Sequence, residues 1–437
     1  MAPDLGRGRR GRAHLTGTAG VLKGAPAARH FEKGTIMKRL IQAAALLAVA
    51  SPACADPILL KPIIDLRVRY EEDHQQGLTA NSEALTARLR AGVAASDGPW
   101  SALVEAQGLL AIDDHYYDGL HGAANRPLIN DPENIALSRA QIQYRTSDLT
   151  VTAGRQRILL DDERFVGFSG FRDNGQTFDA VRTEWTPIKG LKADVSYVWS
   201  VRTIWGMDGY GARQQAVSGN NVLANLSYAT PIGTVTGFAY LVDQNEAAVQ
   251  GYRLSSQTYG ARFTGSRPLA KGVKLSWQAS YATQSDYRQN PNSYRANYYL
   301  ADATLDLAAW KLNGGYEVLG ADKGAALTSF QTPLATLFKF QGWADKFLTT
   351  PPNGVRDLYG SLGYGVKQIG PAQGLLLQAV YHRFDSDRLG QHEGNELDLL
   401  ASAKFGHATL SARYADYRAD TFATDTHKFW LQLDWIL

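Results

Sequence analysis

The sequence predicts an all-β protein: an antiparallel transmembrane β-barrel of about eighteen strands, with short turns at one end and long loops at the other. Two observations carry this prediction. Segments of about ten residues that alternate apolar and polar side chains follow one another along the chain. The connections between these segments also alternate in length, short after every even-numbered segment and longer after the odd-numbered ones.

The clearest segment is 191–202, in which every odd position from Leu191 to Val201 is apolar and the even positions include Lys192 and Asp194. Residues 84–94 and 273–284 repeat the pattern. The predicted strands are 61–71, 84–94, 100–110, 135–145, 149–157, 176–186, 191–202, 221–229, 233–243, 257–266, 273–284, 296–306, 309–319, 357–367, 374–384, 395–404, 407–417 and 426–437.

Alternation with one apolar face fits two architectures: a soluble sandwich with a polar outside, or a membrane barrel with lipid outside and a polar lumen. The connection lengths favour the barrel, because short periplasmic turns and long extracellular loops are its signature, whereas a sandwich has no reason to sort its loops by parity. The longest loops are 111–134, 158–175, 203–220 and 320–356. The boundaries within 296–319 are the weakest, so sixteen strands is the alternative count.

The C-terminal segment agrees with insertion into an outer membrane. Phe429, Leu431, Leu433 and Trp435 lie on one face of the last predicted strand, and the chain ends at Leu437. This pattern resembles the C-terminal signal of outer-membrane proteins, which usually ends in Phe or Trp.

The N-terminal region predicts export. Residues 1–36 are basic and lack apolar periodicity, and we interpret them as a non-native or disordered extension, with a genuine extension as the alternative. Residues 37–55 read as a signal peptide, with Lys38-Arg39, an apolar core and an Ala53-Cys-Ala55 cleavage site. A lipoprotein signal at Cys54 is disfavoured, because Ser51 and Pro52 do not fit a lipobox. The barrel then occupies residues 56–437.

The charge and cysteine content of residues 56–437 exclude several classes of protein. Nine of the 45 Lys/Arg and two of the 42 Asp/Glu fall in residues 1–55, so 36 basic and 40 acidic groups remain. The single cysteine, Cys54, is removed with the signal peptide. Disulfides, thiol catalysis and a basic nucleic-acid-binding surface are therefore not expected.

The lumen face of the first seven strands is rich in arginine. Strand 135–145 is the purest case, with Arg139, Gln141, Gln143 and Arg145 pointing inward. Guanidinium groups recognise carboxylates, and arginine rings bias pores toward anions. Because acids share this face, bracing of the wall by ion pairs is the alternative interpretation for each single arginine.

Two blocks of sequence identify a family. Gly154-Arg-Gln, Arg164-Phe-Val-Gly, Phe171-Arg-Asp-Asn and the stretch from Gln176 to Arg182 form the first block. The second block runs from Gln331 to Asp345 and continues with Lys346-Phe-Leu and Gly354-Val-Arg-Asp-Leu-Tyr359. Both resemble the signature of the alginate-export family of outer-membrane barrels. The resemblance implies an eighteen-stranded monomer with an electropositive constriction, through which an acidic exopolysaccharide passes.

The same resemblance implies roles for single residues. Arg155, Arg157, Arg164, Arg172 and Arg182 would form an anion-selective constriction together with Arg139 and Arg145, and Asp162, Asp173 and Asp179 would hold the arginines in place. Loop 158–175 is expected to fold inward, and the aromatic loop 320–356 to pack over or into the mouth. For Trp343, loop packing is favoured over stacking on a sugar.

Other chemistry is weakly supported. The run Asp161-Asp-Glu163 offers oxygen ligands for Ca²⁺, but pairing with arginines is favoured because the spacing of a calcium loop is missing. A metal site at Asp113-Asp-His115 with His121 is a further alternative. His382, His392, His407 and His427 are scattered without a partner motif, so we predict no enzyme, cofactor or metal.

Three functions follow from this reasoning. The first is a conduit for an anionic, alginate-like polysaccharide in the bacterial outer membrane, working with a periplasmic scaffold of an exopolysaccharide machine. The second is a diffusion porin for small anions or oligosaccharides. The third, a surface enzyme or adhesin, lacks a catalytic pair or a large extracellular domain. Outer-membrane lipid is the expected surrounding, and nucleic acid is not an expected partner.

Overall fold

The computed structural model describes residues 58–246 and 251–437, and these residues form eighteen β-strands. The predicted N-terminal extension, 1–36, and signal peptide, 37–55, lie outside the described residues. The strands are β1 (Leu59–Gln75), β2 (Ser82–Asp97), β3 (Trp100–His115), β4 (Asn134–Arg145), β5 (Leu149–Gln156), β6 (Thr177–Ile188), β7 (Leu191–Arg202), β8 (Ala216–Thr230), β9 (Gly233–Val242), β10 (Ser256–Ala270), β11 (Val273–Asp286), β12 (Arg295–Leu307), β13 (Trp310–Leu319), β14 (Val355–Ile369), β15 (Ala372–Asp385), β16 (His392–Phe405), β17 (Ala408–Ala419) and β18 (Thr426–Ile436).

Each strand pairs with its sequence neighbours in antiparallel register, and β1 also pairs with β18, which closes the sheet into a barrel. The prediction of eighteen strands is confirmed, including the uncertain pair β12 and β13, which a tight turn separates. The period-two pattern was sufficient because each strand contacts lipid on one face and a polar lumen on the other.

The burial pattern shows which face is which. Along β1 the odd positions Arg67, Arg69, Glu71 and Asp73 are buried in the lumen, whereas Leu66 is 38% exposed on the outer surface. On β18, Phe429, Leu431 and Leu433 likewise face outward. An apolar outer wall with buried charges inside is the arrangement that a hydrocarbon surrounding requires.

The connections confirm the predicted parity. Those after even-numbered strands have two or three residues, such as 98–99, 146–148 and 406–407, and all lie at one end. The long connections 116–133, 157–176, 203–215, 243–255 and 320–354 lie at the other end. Among the described residues, no helix combines the length and the apolar character needed to cross a membrane.

Two of the long loops fold into the barrel, as the sequence predicted. Loops 157–176 and 320–354, together called the plug here, pair through a parallel bridge between Val166 and Leu334. The Gly167 N–H donates to the Leu334 carbonyl at 2.8 Å, and the Thr336 N–H donates to the Glu163 carbonyl at 3.0 Å. The plug is thus held by backbone bonds between segments that are far apart in the sequence.

The plug also concentrates unusual backbone geometry. It contains six of the nine non-glycine residues with positive φ in the described chain: Asp161, Glu163, Ser169, Leu327, Gln341 and Asp345. This left-handed region is costly for L-residues and persists only where surrounding contacts impose it. The contacts that impose it here are those of the site described next.

Candidate functional site: an arginine-lined lumen and its plug

An aromatic core holds the plug against the wall. Phe171 and Phe338, one from each loop, stack with ring centroids 3.4 Å apart, and both meet the edge of Trp430 on β18 at 5.8 Å. Phe165 packs among rings of β9 and β12, including Tyr298 at 5.1 Å. Buried aromatic pairs of this kind contribute both area and specific geometry, so the plug has a core of its own inside the barrel.

Arg164 is the first anchor of the plug. Its side chain is 1% exposed, and its Nε donates to Glu317 Oε1 on β13 at 2.7 Å. Its other nitrogens donate to Thr332 Oγ1 at 3.2 Å and Gln341 Oε1 at 3.0 Å, both in loop 320–354. One guanidinium therefore ties both loops to the wall. Burial opposes its charge, but Glu317 raises the pKa of Arg164 above its ordinary value.

Arg172 is the second anchor. It donates to Asp345 in the other loop, and its Nη1 lies 3.7 Å from Glu71 and 3.8 Å from Asp131. Burial works against the charge, yet these three carboxylates raise the pKa of Arg172. The arginine is fully compensated, and its role in this structure is to hold the loops.

Asp173 connects the plug to β1 and β2. It accepts a hydrogen bond from Thr86 at 2.7 Å and lies 3.5 Å from Arg67 and 3.9 Å from Arg69. Despite complete burial, the arginines hold the pKa of Asp173 below its ordinary value. Its backbone N–H donates to Asp131 at 2.6 Å, so loop 116–133 also contacts the plug.

Two arginines at the place where the plug joins the wall keep access to the lumen. Arg139 on β4 and Arg157, where loop 157–176 leaves β5, share the carboxylate of Glu105 at 2.5 and 2.8 Å. Their side chains remain 19% and 23% exposed. On β2, Arg88 and Arg90 likewise share Asp65, at 2.5 and 3.4 Å, but their side chains are only 1% and 3% exposed.

The two shared carboxylates do not saturate the hydrogen-bond donors of these arginines. Among the described residues, Nε and Nη1 of Arg88, Nε of Arg157 and Nη1 of Arg172 have no hydrogen-bond partner, but these atoms are buried. Only the partly exposed guanidinium groups of Arg139 and Arg157 present a surface to a solute. Two guanidiniums per carboxylate also leave a net positive charge at each pair. Such a surface can exchange hydrogen bonds with the carboxylates of a passing solute, because guanidinium binds carboxylate through parallel donors.

The remaining predicted arginines lie lower in the barrel. Arg182 on β6 binds Asp194 of β7 at 2.6 Å and is therefore paired on the lumen face. Arg145 is exposed at the end of β4, beside the short turn 146–148. The structure places both inside the lumen, as expected, and at different heights from the plug.

The placement of Arg155 and Asp179 corrects the prediction. Their side chains pair at 2.7 Å, but on the outer surface of the wall. Thr152 and Gln156 of β5 are buried inside, and the unbroken alternation puts Arg155 on the opposite face. The alternation of inward and outward side chains along β5 therefore places Arg155, and with it Asp179, outside the cluster of lumen residues.

Asp162 and its neighbours pair with donors of the protein. Asp162 contacts Arg262 of β10 at 2.5 Å, Asp161 accepts from Asn225 at 2.9 Å, and Glu163 binds Lys339 at 2.8 Å. The arginine pairing that was favoured over Ca²⁺ is therefore seen for Asp162, whereas Asp161 and Glu163 contact an asparagine and a lysine. At the loop end of β3, one oxygen or nitrogen from each of Asp113, Asp114 and His115 lies within 4.8 Å of the others, a cluster of a common surface type.

Trp343 lies within the plug. Its ring is near-parallel to Phe338 at 6.0 Å, and Arg413 of β17 lies 5.9 Å from its centroid. Its backbone N–H donates to Asp398 at 3.2 Å, and the next N–H, of Ala344, donates to Glu396 at 2.6 Å. The ring is partly buried against the aromatic core, which is the packing that the sequence favoured.

From the sequence, Glu396 and Asp398 are lumen-facing residues of a wall of mixed charge, but their role as anchors of the plug, and that of Glu317, was not predicted. They anchor the plug from β13 and β16. A signal was present, because each stands at a lumen-facing position of an otherwise alternating strand. Their function depended on which loop folds onto them, and a strand pattern does not contain that information.

The fold and the lumen define an outer-membrane channel of the porin type. The structure superposes on solved porins: Pseudomonas aeruginosa OpdQ (TM-score 0.63, 16% identity, 86% of this chain and 98% of that chain) and Acinetobacter baumannii OccAB3 (0.65, 14%, 86% and 99%). Pseudomonas aeruginosa OpdK with vanillate is a third (0.62, 12%, 86% and 98%). At these identities the likeness concerns the fold.

The chain belongs to the alginate export family, whose model matches residues 60–318. The matched region includes the first signature block and ends before the second. A search of curated proteins finds no match. Fold and family together place the protein in the bacterial outer membrane, with the short turns in the periplasm and the plug reached from the extracellular side.

Proposed function

We propose that this channel conducts an acidic polysaccharide across the outer membrane along the wall arginines. The observation that carries the proposal is the pairing of Arg139 and Arg157 with a single carboxylate, Glu105, on a lumen surface that remains accessible. Arg88 and Arg90 share Asp65, but the plug covers them, and a solute would reach them only after the plug moves. We call each pair of arginines around a shared carboxylate a station. A polymer with one carboxylate per sugar meets such stations in succession.

The mechanism is electrostatic. Each station replaces part of the hydration of a carboxylate with guanidinium donors, and the shared wall acid keeps that binding weak. Conduction requires entry to be favourable and release to be easy, and repeated weak sites meet both conditions. The anchors Arg164 and Arg172, which are fully compensated, have no part in this exchange.

The plug gives the channel a closed state. Loops 157–176 and 320–354 fill the lumen above the stations, so a polymer passes only after they move. Every connection at the periplasmic end has two or three residues, which leaves gating to the extracellular loops. Release of the plug upon contact with a periplasmic scaffold of an exopolysaccharide machine belongs to the same proposal, with the barrel acting as a monomer.

A diffusion porin for small anions or oligosaccharides is the second candidate. It is favoured by one comparison: the OpdK structure of the same fold was solved with vanillate, a small aromatic carboxylate. The same arginine stations would serve a small carboxylate, and the plug would then need only a small displacement. Neither candidate assigns a catalytic role to any residue.

Planar-bilayer recordings test the proposal. The double variant Arg139→Gln, Arg157→Gln is compared with the wild type and with Arg383→Gln, which alters an arginine on the outer face of β15. We expect the reversal potential in a salt gradient to shift toward cation selectivity in the double variant only. Block by uronate oligomers should strengthen with length in the wild type and weaken in the double variant.

The outcomes separate the two candidates. Block that does not grow with oligomer length, together with permeation by a small carboxylate such as vanillate, would favour the diffusion porin. A reversal potential unchanged by the double substitution would refute the arginine stations for both candidates.

A further inference from the structure

The extracellular rim of the barrel is lowest at β5, because β5 is the shortest of the eighteen described strands. This strand has eight residues, whereas β1, β2 and β3 have 16 or 17. At about 3.4 Å per residue and a tilt of about 40°, eight residues rise about 21 Å, which is less than the roughly 25 Å apolar band of such barrels. The end of β5 therefore lies at the boundary between the acyl chains and the headgroups of the outer leaflet.

The wall is incomplete above this point. β5 pairs with β4 only along Ala140–Arg145, and the upper half of β4 pairs with β3 alone. Loop 203–215 covers the gap: the Met207 N–H donates to Asn134 Oδ1 at 3.0 Å, and Arg213 donates to the Gly119 carbonyl at 2.9 Å. In the described part of the chain, side chains and a loop thus replace a hydrogen-bonded strand here. We call this region the notch.

Two arginines face outward at the notch and share one carboxylate. Arg155 donates through Nε and Nη2 to Asp179 at 2.7 and 3.0 Å, and its Nη1 donates to the Leu137 carbonyl at 3.1 Å. Arg202 reaches the same carboxylate at 3.4 Å, and its side chain is 32% exposed. The group carries a net positive charge on the lipid-facing side of the wall.

The surroundings complete an amphipathic site. Toward the periplasm, Ile142 and Val181 expose 51% and 39% of their surface on the same outer face. Beside the arginines, a narrow cavity of about 40 Å³ extends into the wall. Neutral side chains that can bond to sugar hydroxyls contribute to its lining: Asn134, Ser138, Asn174, Thr203 and Gln215.

Other outward arginines at the rim differ in charge balance. Arg383 lies beside Asp385 at 3.1 Å, and Arg418 lies beside Asp416 at 3.0 Å and Asp425 at 3.8 Å. Each is matched by at least one acid of its own. Only the notch, among these three places, has more guanidinium than carboxylate.

We propose that the notch binds the anionic headgroup of a glycolipid in the outer leaflet. Arg202, with Arg155 behind it, contacts a phosphate of the headgroup, the partly exposed side chains of Thr203 and Gln215 contact its sugars, and the acyl chains lie along Ile142 and Val181. Guanidinium groups bind phosphate through the same parallel donors that bind carboxylate. Arg155, Arg202, Ile142 and Val181 face outward, so lipid binding at these residues can be tested separately from transport.

The test uses the full-length barrel in detergent, titrated with purified lipopolysaccharide while bound lipid is counted by native mass spectrometry. The variant Arg202→Gln removes the more exposed guanidinium, and we expect about tenfold weaker binding, the loss of roughly one charge-assisted contact. Arg202→Lys, which keeps the charge, should recover part of the affinity. Arg383→Gln is the matched control and should bind as the wild type does.

Three results would overturn the proposal: equal loss in Arg202→Gln and Arg383→Gln, unchanged binding in Arg202→Gln, or equally tight binding of phosphatidylethanolamine. Competition by inorganic phosphate at millimolar concentration would show an anion site that needs no lipid, and would likewise overturn it. Heat-dependent migration on SDS gels verifies that every variant is a folded barrel, so weaker binding cannot arise from misfolding.

Discussion

Two pairs of arginines from the same sequence region do different work. Arg164 and Arg172 have side chains 1% and 5% exposed, and each bridges the plug loops or the wall through buried carboxylates. Arg139 and Arg157 are 19% and 23% exposed and share one acid. In the proposed mechanism, burial and the ratio of donors to acceptors, not the residue type, separate an arginine that holds the plug from one that conducts anions.

The largest expected effect comes from breaking a clamp. Arg164→Met leaves Glu317 buried without its cation, and such a loss costs about 3–5 kcal/mol. We expect the free energy of unfolding in guanidinium chloride to fall by that order and the open probability in bilayers to rise. The double variant Arg164→Met, Glu317→Gln should regain much of the loss, because no uncompensated charge remains. A single variant as stable as the wild type would contradict the clamp.

Removal of the aromatic contact between the loops ranks next. Phe338→Ala deletes a ring stacked on Phe171 and packed against Trp430, and truncation of a buried Phe costs about 3 kcal/mol. We expect limited proteolysis to cleave loop 320–354 faster while the barrel resists. Phe405→Ala, at the exposed end of β16 and away from the plug, is the control and should leave cleavage unchanged. Equal protection of both variants would show that the stack does not hold the loops.

A pH effect of intermediate size arises at Lys346 in loop 320–354. Burial and the charge of Lys428 lower the pKa of Lys346 to about 8. The unfolded lysine titrates near 10.4, so the folded state is disfavoured while the group is charged, and its stability increases as the pH rises from about 8 to about 10.4.

Lys346→Met tests this directly. At pH 7 the variant should be more stable by on the order of 2 kcal/mol, since a charge in a desolvated site is removed. Between pH 8 and 10 the wild type should approach the variant in denaturant midpoint, as measured by tryptophan fluorescence. A pH-independent difference between the two would show that the charge of Lys346 is not its cause.

The smallest stability effect is expected at the conducting surface. Arg139→Gln leaves Glu105 paired with Arg157 and hydrogen-bonded by Ser138 at 2.8 Å, so the cost should stay within about 1 kcal/mol. The same substitution should still reduce anion selectivity in the reversal potential. A large loss of stability with unchanged selectivity would show instead that Arg139 stabilises the structure and does not contribute to anion selectivity.

The fold was predictable because two independent patterns agreed. The alternation of apolar and polar residues predicted each strand and its outward face. The alternation of short and long connections predicted the end of the barrel at which each loop lies. The clearest case is 191–202, where prediction and structure coincide. The loop end of β8 was missed, since Ala216 to Asn220 carries no strict alternation. Both patterns depend only on residues that are close together in the sequence, so a single sequence was enough to predict the fold.

The site was predictable only in part, for a physical reason. The signature block pointed to Arg164 and Arg172, but not to Glu317 and Asp345, their closest carboxylates, because those contacts join residues more than 150 positions apart. Arg155 and Asp179 were assigned to the lumen by resemblance, although their strand parity indicates the outer face. Whether a lumen arginine pairs or stays available depends on the inward fold of the loops.

The seam between β1 and β18 has a consequence for biogenesis. The last strand completes the cylinder, and even the final N–H, of Leu437, donates to the carbonyl of Ile64 at 3.0 Å. Until that strand arrives, β1 and β17 each present an open edge of unpaired amides, which in a bilayer is intolerable and in the periplasm invites aggregation. Closure joins strands from the two ends of the barrel sequence, which makes it the pairing of greatest sequence separation among the eighteen strands. We therefore expect a chain cut after β17 to keep both edges open and to fail to insert.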